Sequence, residues 1–408
     1  MKIIKKIILF ALLLTVIQQF PYIKENYYSQ IRIFLYITLG ILACIGFFIS
    51  NQKLARLIWV FFICTMLWFL LMLIFYISGL NLRNPYNSSI DILEPMIPLG
   101  MLILSNKFNF DDNEINRFIN IYIILVTMMG ITNIYFYGIG LEIPKIYIRE
   151  ISKNQVGPIL SISSIICYFL FLLSSQIKKR YIKHFYIIFF VIDIICLALI
   201  RNRSGLLATF IIIFIFSFLY FRQNKRVKYY ITSTLLIVLI TLLINPSILK
   251  NIFSFFYDSF TANYDILNID NLSAGRISIY ELSIIFLKDN ILLGELNSSE
   301  YMPGIAHNYL LNKIVKYGLI GSFPLILLYF YLIIFIIKEI MKHIKNNKFI
   351  DLSILLILQG IIISFFEYTY PYGPGVSQAL SWFLLGYYLF RNYRETKINR
   401  HERVWLTS

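Results

Sequence analysis

The sequence predicts an all-α integral membrane protein that crosses the bilayer about twelve times (11–12). Hydrophobic residues make up 59% of the 408 residues and charged residues only 14%, whereas soluble domains carry about a quarter charged residues. Apolar runs of about 18 to 20 residues, the length of a helix that spans the hydrocarbon core, recur from Ile7 to Phe390. Basic residues cluster in the short segments between these runs, which is typical of a polytopic membrane protein.

The apolar runs predict twelve spans. They lie near residues 4–21, 33–50, 57–78, 90–105, 118–138, 155–175, 185–200, 204–221, 229–248, 308–337, 351–367 and 376–391. The first is interpreted as a retained helix, because no small-residue cleavage site follows it. The fourth is short and contains Pro95 and Pro98, which favours a broken or re-entrant segment. The tenth is too long for one straight crossing, so we expect His307 to Lys316 to form a helix at or above the membrane surface.

The positions of lysine and arginine predict that both ends of the chain lie in the cytoplasm. With this orientation, cytoplasmic segments hold 24 of the 37 lysine and arginine residues, and outer segments hold 13. The same bias holds loop by loop, which is the positive-inside pattern. It accounts for the net charge of +16 without a nucleic-acid partner.

The cysteines indicate neither a disulfide framework nor a zinc site. All of them lie within apolar segments, and none has CxxC spacing or a histidine at ligand spacing. They are Cys44, Cys64, Cys167 and Cys196. We expect small apolar packing residues at these positions.

One connection is much longer than the others. Residues 249–306 form an outer stretch of about 58 residues that is rich in Asn, Ser and Asp, with an amphipathic segment from Ile277 to Leu287. Connections of this length are usually functional or disordered. The chain therefore divides into N-terminal spans (1–150), central spans (151–248), the outer loop (249–306), C-terminal spans (307–391) and a cytoplasmic tail (392–408).

The first candidate site residues are Arg201 and Arg203, at the outer end of the seventh span. Arginines beside hydrocarbon are costly unless paired, and the guanidinium group offers a fork of donors that matches phosphate oxygens. A helix that opens at Ser204 would add backbone N–H groups and the positive end of its dipole. These features favour a diphosphate-binding site. The alternative is a pair of anchors that contact lipid head groups.

Two further motifs follow on the outer side. In the long loop, Gly275 permits a turn, Arg276 begins the amphipathic helix, and Tyr280 follows one turn later. A solvated loop arginine is the alternative interpretation. His307, followed by Asn308, is the one histidine of the four in the sequence that falls outside. An imidazole there could accept a hydroxyl proton or orient a hydroxyl nucleophile, although a lone histidine is usually structural.

Three polar groups near or within the spans could join these motifs. Asn154 starts the sixth span on the outer side. Glu367, near the outer end of the eleventh, is the best-placed carboxylate to neutralise Arg201 or Arg203. Asp193 lies about 12 Å before Arg201 along a helix, which is too far for direct pairing.

These pieces, in this order, resemble the O-antigen polymerase and O-antigen ligase family (Wzy-type polymerases and their ligase relatives). That family shows a Lys-or-Pro–Asn helix start, an S-R-G-like motif, G-R-x-x-x-W in a long periplasmic loop, n-P-l-l-G-x-G, and H-N-x-x-L followed by G-L-I-G. The corresponding residues are Lys153-Asn154, Asn202-Arg203-Ser204-Gly205, Gly275-Arg276 with Tyr280, Asp289 to Gly294, His307-Asn308-Tyr309-Leu310 and Gly318 to Gly321. The match covers roughly residues 150–340. It departs from the family pattern at Tyr280, where Trp is common, and at Ile291, where Pro is common. Glu295-Leu296 stands where another glycine would come.

The resemblance implies a GT-C-like glycosyltransferase at the outer face of the bacterial inner membrane that needs no metal or other cofactor. Its donor would be an oligosaccharide on undecaprenyl diphosphate, and its acceptor another lipid-linked repeat unit of O-antigen or capsule. Membrane lipids and a chain-length-regulating co-polymerase would be its partners. A ligase, which transfers the finished glycan to lipid A–core, is the alternative within the family.

The same resemblance implies roles for individual residues. Arg203, helped by Arg201 or Arg276, would stabilise the departing diphosphate. His307 would orient or deprotonate the acceptor hydroxyl, and the reaction would invert the anomeric carbon. The expected substrate-binding residues are Arg201, Arg276, Asn154, Asn308, Tyr280 and Glu367.

A flippase for lipid-linked oligosaccharides is the alternative from another class. That class would show basic residues through a central cavity and similarity between the two halves of the chain. Here the outer arginines and the outer histidine cluster around one long loop, which favours an enzyme.

Overall fold

The computed structural model describes residues 2–49, 54–78, 93–141, 153–174, 180–223, 254, 275–296, 306–346, 348–368, 371–372 and 378–406. Regular structure in these ranges is helical, with no strand, as the composition predicts. The helices are α1 (Lys2–Ile17), α2 (Pro21–Ile49), α3 (Arg56–Ile77), α4 (Met96–Lys107), α5 (Asp112–Tyr137), α6 (Lys153–Ser174), α7 (Arg180–Leu199), α8 (Arg203–Gln223), α9 (Arg276–Asn290), α10 (Tyr309–Lys345), α11 (Leu352–Ser364) and α12 (Ala379–Leu406). Short 3₁₀ turns, Ile139–Leu141 and Gly294–Leu296, follow α5 and α9.

Several helices have the length and composition of membrane spans. Within the described ranges, seven qualify, in α2, α3, α5, α6, α7, α8 and α10. Their outward faces are apolar: on α2, for example, Ile33, Phe34, Ile37 and Ile41 are all more than half exposed. Contiguous apolar surface of this kind is rare on proteins that face water. The chain is therefore a multi-pass membrane protein, while the count of twelve spans stays a prediction, since the ninth (229–248) lies outside the described residues.

One predicted boundary is wrong. Residues 22–32 were expected to connect the first two spans, but they form the first turns of α2, which begins at Pro21. Proline suits the first position of a helix, because its missing N–H has no intrahelical partner there. At the other end of the chain, α12 continues to Leu406, so most of the predicted tail is helical.

The fourth predicted span is short in the structure. α4 has 12 residues, about 18 Å of helix, which is less than the hydrocarbon thickness. It is buried along most of its length and packs against α2, α3 and α12. The broken character predicted from Pro95 and Pro98 agrees with this length.

The tenth predicted span is broken at Gly318. This residue has φ +64° inside α10, so the first section, Tyr309 to Tyr317, is separated from the longer section that follows. The sequence predicted a separate first helix at the membrane surface. The break at Gly318 agrees with a separate first section, and Tyr309, Lys313 and Val315 of that section are buried against the protein. Its position relative to the membrane surface stays a prediction.

α6 lies at the centre of the bundle. In its most apolar 18-residue window 78% of the residues are buried, against 22% for α2 and for α7. It packs against α5, α7, α8 and α11. The polar side chains between these helices bond one another, since Gln359 donates to Ser161 at 2.7 Å and Ser161 lies 2.6 Å from the Thr209 hydroxyl. The sequence predicted that Asp193 is too far from Arg201 to pair with it. In the structure, Asp193 accepts a hydrogen bond from Thr127 at 2.6 Å.

Polar contacts between elements gather at two opposite ends of the bundle. α11 joins these ends, because Asp351 caps its start and Glu367 follows its last turn. We name them the Asp351 end and the Glu367 end. At the Asp351 end, Lys5 pairs with Glu114 at 3.1 Å. Tyr137, about 35 Å further along α5, lies at the Glu367 end.

The contacts at each end agree with the predicted alternation of the helices. Arg391 pairs with Asp351 at 2.8 Å, and both were assigned to the cytoplasmic side. Tyr137 donates to Glu25 at 2.5 Å, and both were assigned to the outer side. The assignment of the Asp351 end to the cytoplasm is a prediction from the sequence.

Candidate functional site

The candidate site surrounds the carboxylate of Glu367, three residues after α11, which is 3% exposed. Asn154 Nδ2 donates to Glu367 Oε2 at 3.0 Å, and an Arg276 guanidinium nitrogen lies 3.3 Å from Oε1. His307 Nδ1 lies 3.8 Å from Oε2, beyond hydrogen-bond distance but within ion-pair range. One carboxylate thus brings together the start of α6, the start of α9 and the turn before α10.

The partner of Glu367 differs from the one expected. The sequence suggested that Glu367 would neutralise Arg201 or Arg203, whereas the described contacts pair it with Arg276. Arg276 is preceded by Gly275, whose φ of +74° turns the chain into α9 and aims the first residue of that helix at the carboxylate. The alternative interpretation of Arg276, as a solvated loop arginine, does not fit this contact with a buried carboxylate.

Tyr280 ties α9 to the turn that carries His307. Its hydroxyl donates to the backbone carbonyl of His307 at 2.9 Å and lies 3.3 Å from the carbonyl of Phe365. Arg276 and Tyr280 are four residues apart and share one face of α9. Burial raises the pKa of the Tyr280 phenol; the Arg276 charge lowers it and the Glu367 charge raises it. The phenol therefore stays protonated and acts as a donor.

The ring of His307 is held on two sides and is partly exposed. Glu367 lies on its Nδ1 side, and Tyr368 contacts the ring edge-to-face with centroids 5.9 Å apart. The side chain is 30% exposed, so a ligand can reach it. Among the described residues, Nε2 makes no hydrogen bond.

Asn308 has a structural role that the sequence did not separate from its motif. Its side-chain oxygen accepts from the backbone N–H of Leu311 at 3.1 Å and caps the start of α10. Asparagine is among the best residues at this position. The side chain of Asn308 therefore has a structural role at the start of α10.

Asn202 joins the start of α8 to the start of α6. Its oxygen accepts from the Gly205 backbone at 2.8 Å, and its nitrogen donates to the Lys153 carbonyl at 3.2 Å. Its nitrogen also lies 3.5 Å from Asn154 Oδ1, next to the Glu367 contact. A Cβ atom at Gly157 would lie 2.2 Å from Asn202, and one at Gly205 would lie 2.3 Å away. Both glycines are needed for this side chain to fit.

Arg201 and Arg203 flank Asn202 and are both partly exposed. Arg201 has φ +57°, a backbone conformation that is uncommon for residues other than glycine and recurs at functional sites. α8 begins at Arg203, one residue before the predicted start, and the Gly205 N–H is occupied by Asn202. The expected cradle of free N–H groups at this helix start is therefore smaller than predicted. No described contact joins either arginine directly to Glu367.

Two glycines join the segment after α9 to the break in α10. Gly294 has φ +59° and Gly318 has φ +64°. The Leu319 N–H donates to the Ile291 carbonyl at 2.9 Å, and the Ile320 N–H donates to the Leu292 carbonyl at 3.1 Å. We name this pairing the glycine clasp.

The glycine clasp leaves no room for side chains at its centre. A Cβ at Gly318 would lie 2.1 Å from the Leu292 carbonyl oxygen, and one at Gly294 would lie 2.3 Å from the Val315 carbonyl oxygen. The clasp therefore fixes α9, which carries Arg276, against α10, which follows His307. Two motifs that the sequence presented as separate are one structural unit.

The groups around Glu367 are an amide, a guanidinium and an imidazole, which suit an anion better than a cation. Over the described ranges, no cluster of three or more His, Cys, Asp or Glu side chains could hold a metal ion. The chemistry available from these residues is positive charge, hydrogen-bond donation and proton transfer at His307.

Comparison of the sequence with protein-family models and with curated proteins finds no match. The resemblance described above therefore rests on its motif residues. What the geometry adds is that Asn154, Arg276, Tyr280 and His307, predicted from separate motifs, lie in one site.

Sequence reasoning missed three positions. Asn202 was identified only as a member of the Arg203 motif, and its hydrogen bonds to the start of α6 were not predicted. Gly157 was missed because no spacing rule links a glycine in one helix to an asparagine in a later turn. Lys24 was counted only as one of the outer basic residues. In the structure it bonds Gln155, the neighbour of Asn154, at 2.8 Å.

Proposed function

We propose that this protein is a membrane-embedded glycosyltransferase that polymerises undecaprenyl-diphosphate-linked repeat units into O-antigen or capsular polysaccharide. The observation that carries the proposal is the convergence on Glu367: the Asn154, Arg276 and His307 motifs meet at one buried carboxylate. Such convergence is expected of an active site and not of scattered anchors for lipid head groups.

In the proposed reaction, an acceptor sugar hydroxyl attacks the anomeric carbon of the donor sugar. The new glycosidic C–O bond forms as the bond from that carbon to the lipid diphosphate breaks, and the configuration inverts. The hydroxyl proton passes to His307 Nε2, while the diphosphate leaves with the bonding electron pair. Glu367 lies 3.8 Å from Nδ1, on the side of the ring away from Nε2.

The departing diphosphate develops negative charge, which positive side chains stabilise best when they are already in place. Arg203 has this role in the proposal, with Arg201 or Arg276 as its helper. Arg276 is oriented by Glu367, and the Arg201–Arg203 turn is oriented by Asn202. A diphosphate is a good leaving group, so the proposal requires no metal.

The glycan ladder of a deletion strain tests the class of reaction. A single repeat unit on the lipid A–core indicates a lost polymerase. Full-length chains that accumulate on undecaprenyl diphosphate indicate a ligase and contradict the proposal. A wild-type ladder also contradicts it, and loss of all lipid-linked glycan from the outer leaflet indicates a flippase.

Arg203→Ala tests the charge that stabilises the leaving group. We expect long chains to be lost in a complemented deletion strain, with a fall in transfer of about 10²-fold or more. The matched control is Arg222→Ala at the opposite end of α8, where the arginine is exposed. Long chains made by Arg203→Ala, with normal amounts of protein in the membrane, would exclude this role.

His307→Ala tests the proton acceptor. Purified protein should still bind the lipid-linked donor but extend it about 10² to 10⁴ times more slowly, the usual contribution of general base catalysis. His184→Ala is the control, because His184 is an exposed histidine on α7. Normal extension by His307→Ala removes this residue from the mechanism.

A further inference from the structure

Among the residues that the structure describes, no carboxylate pairs with the buried ammonium group of Lys24. Lys24 lies in the first turn of α2 and is 3% exposed. Its Nζ donates to Gln19 Oε1 at 3.0 Å and to Gln155 Oε1 at 2.8 Å, and it lies 5.5 Å from the Tyr28 ring centroid. Within the described part of the chain, both of its hydrogen-bond acceptors are neutral amides.

A second buried lysine shows the usual arrangement. Lys313 is 2% exposed and forms an ion pair with Glu94, which is also buried. A buried charge is costly unless it is paired with an opposite one. The carboxylate next to Lys24 in sequence, Glu25, accepts a hydrogen bond from Tyr137 instead. Lys24 therefore has the environment of a cation whose counter-ion is supplied by a ligand.

Lys24 lies next to the candidate site. Gln155, which holds its ammonium group, is the neighbour of Asn154, and Asn154 bonds Glu367. Lys24 thus lies beside the first turn of α6, where backbone N–H groups and the helix dipole also favour an anion. An ammonium group has three donors, and the two amides use two of them.

We propose that Lys24 binds a phosphate oxygen of the undecaprenyl diphosphate carrier, as a further cation of the Glu367 site. This inference rests on the proposed function, because it takes the carrier from there. Gln19 and Gln155 hold the ammonium group in place when the site is empty. The α1–α2 turn is itself fixed to α5, since Asn133 donates to the Gln19 carbonyl at 3.0 Å.

Binding of undecaprenyl diphosphate to the full-length protein in nanodiscs tests this inference without any glycosyl transfer. Lys24→Met should weaken binding by about tenfold or more, the size of one hydrogen bond to a charged group. Lys24→Arg should bind more tightly than Lys24→Met. Lys5→Met is the matched control, because Lys5 is a partly buried lysine at the Asp351 end; it should bind like the wild type.

Gln155→Glu provides a second test, which can be used if Lys24→Met fails to fold. The new carboxylate would lie where an oxygen is now 2.8 Å from Lys24 Nζ. It would pair with the ammonium group, raise the melting temperature and weaken undecaprenyl diphosphate binding. A purely structural Lys24 would give the rise in melting temperature with unchanged binding, and that result would overturn the inference.

The two proposals fail in different ways. Wild-type protein that binds undecaprenyl diphosphate through Lys24 but transfers no sugar contradicts the glycosyltransferase proposal alone. Unchanged binding by Lys24→Met, or an effect seen only with glycan-bearing lipid, overturns the assignment of Lys24 to the diphosphate. Absence of wild-type binding overturns it as well.

Discussion

The two ends of the bundle pair their charges differently. At the Asp351 end, each ion pair in the described ranges joins one cation to one carboxylate. These pairs are Arg391 with Asp351, Lys5 with Glu114 and Lys342 with Glu339. Such pairs, close to water, contribute little to stability.

Among the described residues at the Glu367 end, cations share a carboxylate or bond neutral groups. Glu367 is shared by Arg276 and His307, and Lys24 bonds neutral amides. Glu25 accepts from a tyrosine. The comparison teaches that a shared carboxylate and a buried lysine held by neutral amides occur together where the predicted motifs converge, which is an arrangement suited to binding an anion.

The largest difference between the ends should appear when each key carboxylate is neutralised. Glu367→Gln removes the charge that orients Arg276 and supports His307, so we expect transfer to fall by about 10²-fold or more. Asp351→Asn keeps an N-cap and loses only one partly exposed pair, so transfer should stay within about twofold of the wild type. Rates with purified protein and a lipid-linked repeat unit measure both variants. Equal losses would contradict the difference between the ends.

Gly318→Ala should give the next largest effect. The added Cβ would meet the Leu292 carbonyl oxygen at 2.1 Å, and φ +64° is strained for alanine. We expect a loss of about 2–4 kcal/mol of folding free energy, with displacement of α9 from His307. Thermal unfolding in detergent measures this loss. Gly40→Ala is the control, because nothing lies within 4 Å of its added Cβ; equal stability of the two variants would show that the clasp does not constrain the chain.

The sequence predicts the membrane helices well because its signals are local. Apolar runs and basic clusters place most helices, and the Pro95 and Pro98 pair correctly indicates a short fourth segment. The errors occur where neither an apolar run nor a basic cluster marks the boundary of a helix. α2 begins early because Pro21 starts a helix in a segment that looks polar enough for a loop.

The sequence predicted the candidate site only in part. This part of the prediction came from the side of the membrane assigned to each residue. The predicted topology placed Arg201, Arg203, Arg276 and His307 on one face of the membrane, and the described contacts join Arg276 and His307 through Glu367. It could not say which cation Glu367 contacts, since that depends on the turn at Gly275. Lys24 was missed because a buried lysine and an exposed one look identical in sequence.

The smallest effect should come from Lys5→Met. The Lys5–Glu114 pair is partly exposed, with side-chain exposures of 13% and 37%, so its loss should change the folding free energy by about 1 kcal/mol or less. Glu114 also accepts from the Asp111 N–H at 3.0 Å, so its carboxylate keeps a partner when the lysine is gone. Thermal unfolding and transfer rates should both stay close to those of the wild type. A large loss of transfer would mean that charge at the Asp351 end also acts on the reaction, and the contrast between the two ends would then no longer explain where the anion binds.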